Sequence, residues 1–212
     1  MKRILSLVLA CLFLLGLVSC GEETPPPTDE VLLERARELI PMTAPVNRLF
    51  YEEGIPYCET GDNVGVYYPA DAAELSLLGF VKVADILSYM KDVWSEDYVQ
   101  QIEGSAIFKS VVGDNGVSSY AYCYDSYDKN GNFVCVMVNS NGLPIKTDPV
   151  TYNLDSLRVV SKSAERARLT LTATVSGGEG QTKDVTVDVL LVPEGDTWML
   201  ASGTAVKFPT HG

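Results

Sequence analysis

Few side chains in this 212-residue chain combine reactive types with a usable spacing. Tyr120, Tyr122 and Tyr124 recur at every second position. On one alternating strand they share a face, with Ala121 and Cys123 on the other. Three aromatic bodies with polar tips make good binding surface, and the same stripe also serves as half-buried packing beneath helices. Arg166 and Arg168 sit at polar positions of a second alternating run, placed for an anionic ligand or for surface carboxylates. Proton-transfer chemistry would need a base, with Asp85, Asp125 and Asp188 as the carboxylates on or near elements, and a tyrosine donor facing a developing oxyanion. No spacing singles out such a pair. The only histidine, His211, lies at the C-terminus, and Cys58, Cys123 and Cys135 match no zinc pattern. Neither a metal nor a cofactor is expected.

The remaining cysteines belong to the N-terminus. Lys2 and Arg3 precede an apolar run from Ile4 to Val18 that carries Cys11. The run is short of the roughly 20 residues a bilayer span needs, and its basic start and small-residue end describe a secretory signal. Leu17-Val18-Ser19-Cys20 resembles a lipobox, the motif read by bacterial lipoprotein-processing enzymes. The resemblance implies a signal peptide over 1–19, cleavage before Cys20 and diacylglycerol on its sulfur, and hence a lipid-anchored protein facing outside the cytoplasm. Two acyl chains suffice for lasting attachment where one does not. Residues 20–28, with Pro25-Pro26-Pro27, read as an extended tether that holds a domain off the cell membrane or outer membrane.

Composition narrows the partners. The chain has 28 acidic and 16 basic residues and a net charge of −12. Removal of Lys2 and Arg3 with the signal lowers that to −14. So acidic a chain excludes nucleic acid and bare anionic lipid as partners. From Thr28 onward about 185 residues remain, enough for one well-cored domain over 29–208 before a tail at 209–212. Two lobes around a cleft, the usual build of a transporter's substrate-binding lipoprotein, do not fit.

Helices come first. Thr28 or Asp29 caps a helix over Glu30 to Ile40 with Leu32, Ala36, Leu39 and Ile40 inward, and Pro41 ends it. Pro45 opens a second, burying Val46, Leu49 and Phe50 and stopping at Gly54. Tyr57 to Asp71 reads as loop. A third helix spans Ala84 to Val93, and Ser95 caps a short one ending near Gly104. The period then changes to two. Val117 to Tyr127 alternates, Asp128-Lys129-Asn130-Gly131 turns, and Phe133 to Val138 returns. Pairing Asp128 with Asn132 places Cys123 opposite Met137, so a Cys123–Cys135 disulfide requires a shifted register. Leu157 to Lys162, Arg166 to Val175, Val185 to Val192 and Trp198 to Val206 complete a meander. The expectation is an α+β domain, with N-terminal helices packed on one face of a single curved antiparallel sheet.

This order of elements resembles the nuclear-transport-factor-2-like fold, a sheet bent around helices into a cone with a cavity. Phe50-Tyr51-Glu52-Glu53-Gly54-Ile55-Pro56-Tyr57, with Tyr67-Tyr68-Pro69 and Trp198-Met199-Leu200, also looks like a group of uncharacterised bacterial lipoproteins with this kind of domain. The closing strand departs from that group at Ala201 and Gly203. The resemblance implies an address and a fold, and leaves two functions. One is a noncatalytic domain binding a small molecule, peptide or protein. The alternative is a cavity-type isomerase or dehydratase of the same superfamily.

Overall fold

The computed structural model describes residues 25–205 except 61, 114–115, 141–147 and 178–179, with backbone alone at 106 and 108–120. It is an α+β fold. Helix α1, Asp29–Met42, opens at Thr28, whose hydroxyl accepts the Val31 N–H at 3.4 Å. Leu32, Ala36, Leu39 and Ile40 are all fully buried, as their spacing predicts. The helix runs through Pro41 instead of ending before it. In the last turn the proline removes a single backbone hydrogen bond, and Thr43 closes the end by donating its N–H and hydroxyl to the Ile40 carbonyl. The second helical segment starts as α2, Ala44–Asn47, and then widens into a π-helical turn over Arg48–Glu52. Gly54, at φ 90°, supplies the left-handed stop.

The expected loop, Tyr57 to Asp71, holds a short strand β1, Tyr67–Pro69, and its last residue Asp71 caps a helix α3, Ala72–Leu77, that was not foreseen. Helix α4, Val83–Val93, and helix α5, Glu96–Ile102, follow, and a second π-helical turn covers Glu103–Ile107.

Instead of one sheet, the described strands form three. The large sheet is the meander β6 (Val150–Lys162), β7 (Ala167–Ser176), β8 (Thr182–Glu194) and β9 (Thr197–Leu200), in that spatial order. Strand β6 starts seven residues before the expected Leu157, and β9 stops at Leu200, well short of Val206. On its inner face Ala167, Leu169, Leu171, Ala173 and Val175 are buried. Helix α1 packs on β6 and β9, held by the Arg35 side chain donating to the Trp198 carbonyl at 2.8 Å and by Lys162–Asp29 at 2.6 Å.

The small sheet has the order β1-β5-β4, with β4 at Cys123–Tyr127 and β5 at Phe133–Asn139; a separate hairpin pairs β2, Phe108–Gly113, with β3, Gly116–Ala121. Helix α4 touches both β4 and β9, so one core serves both sheets. The strand expected over Val117 to Tyr127 is broken at Tyr122. There the chain changes partner: the Tyr122 N–H donates to Ile107 at 2.6 Å, while its carbonyl accepts the Asn139 N–H at 2.8 Å. The β4–β5 register also differs from expectation. Tyr127 pairs with Phe133 but Ser126 pairs with Cys135, leaving Val134 as an inserted bulge residue. Cys123 therefore faces Val138 instead of Met137, and Cys58, Cys123 and Cys135 are all free thiols.

Candidate functional site

The residues singled out in the sequence are not gathered into one site. Cys20 lies outside the described residues, as does the side chain of Tyr120. The break at Tyr122 turns that ring into the core, where it meets Phe50 edge-on at 6.1 Å and its hydroxyl accepts the Ile55 N–H at 3.0 Å. Tyr124 lies elsewhere, edge-on to Tyr67 at 5.0 Å. The expected tyrosine stripe is thus split between core and sheet surface. Arg166 is exposed in the turn between β6 and β7, and Arg168 pairs with Asp188 at 2.9 Å in the open. Cys123 is buried, and desolvation pushes its thiol up to about 12, which makes it inert packing.

The three aspartates considered as bases have structural work. Asp85 accepts the N–H groups of Val81 and Lys82 at 3.0 and 2.9 Å, and Asp125 accepts that of Val83 at 2.8 Å. Both satisfy the orphan donors at the start of α4. Asp188 is the partner of Arg168.

The structure does form an open groove of about 530 Å³ between the start of α5, the β6–β7 turn and the end of β8. The segment after β9 sets its shape. Trp94 and Leu200 form a parallel bridge, the Ser95 N–H donates to the Leu200 carbonyl at 2.8 Å, and the Trp94 indole donates to the Ser202 carbonyl at 3.2 Å. These bonds lay α5 across the edge of the large sheet. Glu194 then accepts the Glu96 N–H at 2.9 Å and ties the strand end to the helix start. Glu96, Asp97, Glu165 and Glu194 line the groove, no lysine or arginine among the described residues does, and the half-buried Tyr98 supplies an aromatic surface. Low-dielectric walls and one sign of charge concentrate cations. Among the described residues no three potential ligands gather closely enough to hold a metal ion.

Behind Tyr98 lies a polar seam that the sequence did not disclose. The hydroxyls of Thr43 and Thr204 meet at 2.8 Å, the Asn47 amide donates to Thr204 at 3.0 Å, and Tyr152 donates to the Thr204 carbonyl at 2.9 Å. Burial pushes the Tyr51 hydroxyl up to about 12, with a smaller push from Tyr98. The Glu52 carboxyl is raised by burial first and then by Glu53. Tyr51 and Glu52 belong to the π-helical turn, whose widened backbone has no signature in residue type; such turns recur at functional sites. These tyrosines hold their protons at neutral pH, so their hydroxyls are donors to the seam.

No protein-family model matches the chain, and no curated protein or solved structure does either.

Proposed function

We propose that this protein is a lipid-anchored lipoprotein displayed outside the cytoplasm, whose domain binds a cation-bearing ligand or segment without catalysing a reaction. The carrying observation is the groove beside α5, with four carboxylates, no basic side chain among the described residues that line it and an aromatic surface at Tyr98. The address rests on the basic start, short apolar run and Leu17-Val18-Ser19-Cys20, with Cys20 as the acylated residue. Among the described residues, no helix is long and apolar enough to cross a membrane. Within the α+β class we read the domain as a variant of the nuclear-transport-factor-2-like cone. Helices preceding an antiparallel meander that closes on Trp198 support that reading.

The test is a melting-temperature titration of the purified chain with hexalysine, and with hexaglutamate as control. A ligand that binds only the folded state raises the melting point. Hexalysine is expected to raise it at low salt and much less at 0.5 M NaCl, with the rise reduced in Glu96→Gln and Glu194→Gln. Equal shifts from both peptides, or none, sink the reading. For the address, mass spectrometry of the membrane fraction is expected to find an acylated Cys20 N-terminus, and Cys20→Ser is expected to release the protein from membranes.

A further inference from the structure

The chain enters the domain at the same end that holds the α5 groove. Pro25 to Thr28 lead into α1, where the Asp29 carboxylate meets the Lys162 ammonium at 2.6 Å. Lys162 is the last residue of β6. The turn that follows, in which the Ser163 N–H donates to the Arg166 carbonyl at 2.8 Å, carries Ala164 and Glu165 into the groove wall. The register of the meander brings the β8–β9 tip to this end as well: Lys162 faces Ala167, Ala167 faces Leu191, and Glu194 faces Thr197. The entry point, two hairpin tips and the start of α5 therefore share one end of the large sheet.

That end is negative. Asp29, Glu30 and Asp196 join the four groove carboxylates there, and all are exposed. Against them stand Lys162, already paired with Asp29, and Arg166, while Arg35 is matched by Glu38 at 2.6 Å. Charges of one sign gathered on one face add up to a local field stronger than net charge alone conveys.

We propose that this end faces the membrane and works as a charge-controlled spacer, holding the domain at the length of its tether above an anionic bilayer. The proposal rests on the lipid-anchor reading and not on cation binding in the groove. Residues 20–28 in polyproline II span about 28 Å, at about 3.1 Å each. The Debye length is about 30 Å at 0.01 M salt, about 8 Å at 0.15 M and about 3 Å at 1 M. Repulsion therefore acts over the whole tether at low salt and over only its first residues at high salt. A neutral end would let the domain settle and close the groove mouth against the headgroups. A negative one keeps the mouth clear.

The experiment uses the full acylated chain, reconstituted in vesicles that carry an energy-transfer acceptor dye in the bilayer. The donor dye sits on Thr197→Cys, an exposed position at that end, with Cys58→Ser and Cys135→Ser removing competing thiols. On phosphatidylglycerol vesicles the separation of donor and bilayer is expected to shrink by about 10 Å between 0.01 M and 1 M NaCl, a fraction of the change in Debye length. On phosphatidylcholine it is expected to stay constant, and that arm needs no charge variant. Glu96→Gln, Asp97→Asn, Glu165→Gln and Glu194→Gln together are expected to cut the salt response by about half. Glu59→Gln with Asp62→Asn, ahead of β1 in the small sheet, is expected to respond like the parent. The proposal is overturned if the separation ignores salt and lipid charge, or if the Glu59 and Asp62 variant loses as much of the response as the groove variant. A chain that fails to float with the vesicles sinks the anchor reading, and this proposal with it; one that floats at a fixed height sinks this proposal alone.

Discussion

The β7–β8 pair of the large sheet and the small sheet are built on the same period of two, yet they behave differently. In β7 and β8 the alternation is unbroken, and ten consecutive residue pairs hold one register from Ala167–Leu191 to Ser176–Thr182. Its inner face is buried, and its outer face carries Thr172, Thr174 and Asp184 in reach of water. Strand β6 is less regular, its register against β7 shifting after Asn153 and again after Val159, and the small sheet is interrupted at Tyr122 and at Val134. The lesson is physical. A strand with one buried face has its register enforced residue by residue, because a one-residue slip exposes the whole apolar set. A short strand with interruptions can re-aim individual side chains, as Tyr122 is turned into the core.

The largest way to break this contrast is to hollow the regular sheet. Leu169→Ala removes a fully buried side chain from the shared core and is expected to cost about 2–5 kcal/mol in urea unfolding. Val134→Ala at the half-exposed bulge is expected to change little. Next comes the polar seam. Thr204→Val leaves the Asn47 amide and the Thr43 hydroxyl each short of a buried partner, with an expected loss of about 1–3 kcal/mol by the same measurement.

Gly203→Ala tests the close approach of the post-β9 segment to α5. A methyl group there would sit 2.6 Å from the Tyr98 hydroxyl and 3.8 Å from the ring carbon bearing it. About 1 kcal/mol of destabilisation is expected, recovered in the double variant with Tyr98→Phe; failure of that recovery would exclude the contact as the cause.

The smallest effects are electrostatic and have opposite signs in the two regions. The Glu52 carboxyl is raised in the folded state, chiefly by burial, so its contribution is present below the unfolded value and lost as pH rises through the folded one. Glu52→Gln is therefore expected to remove a fall in stability just above the ordinary carboxylate range. Asp128, in the β4–β5 turn, is lowered by its bonds to the Asn132 side chain and to the backbone N–H groups of Asn132 and Asn130. Its stabilisation is present above the unfolded value and disappears as pH falls through the folded one. Asp128→Ala is expected to lower the melting point at neutral pH and to flatten the acid side of its pH profile. Melting curves from pH 3 to pH 8 check both.

Legibility followed locality. The buried stripe of α1, the inward residues of β7, the Gly54 stop and the turn at Gly131 were all readable, because each depends on neighbours a few positions away. The break at Tyr122 was not, since its cause is a change of pairing partner from Ile107 to Asn139. The β4–β5 register failed for a related reason: a single inserted residue shifts all the pairs beyond it, and Val134 is chemically an ordinary strand residue. The groove and a smaller hollow beside β1 were also missed, because each brings together residues from segments distant in the chain. Glu96 meets Glu194, and Glu59 lies with Ser140.

The sequence alone therefore determined what local physics decides: helices ahead of the long meander, which residues face inward, where the chain turns, and an acidic surface. Only the tertiary structure decided that Tyr122 is core, that Arg168 is spent on Asp188, and that carboxylates and tyrosines from separate elements form hollows. Period and propensity act over one turn or one strand, whereas a site is made where distant segments are pressed together by a shared core.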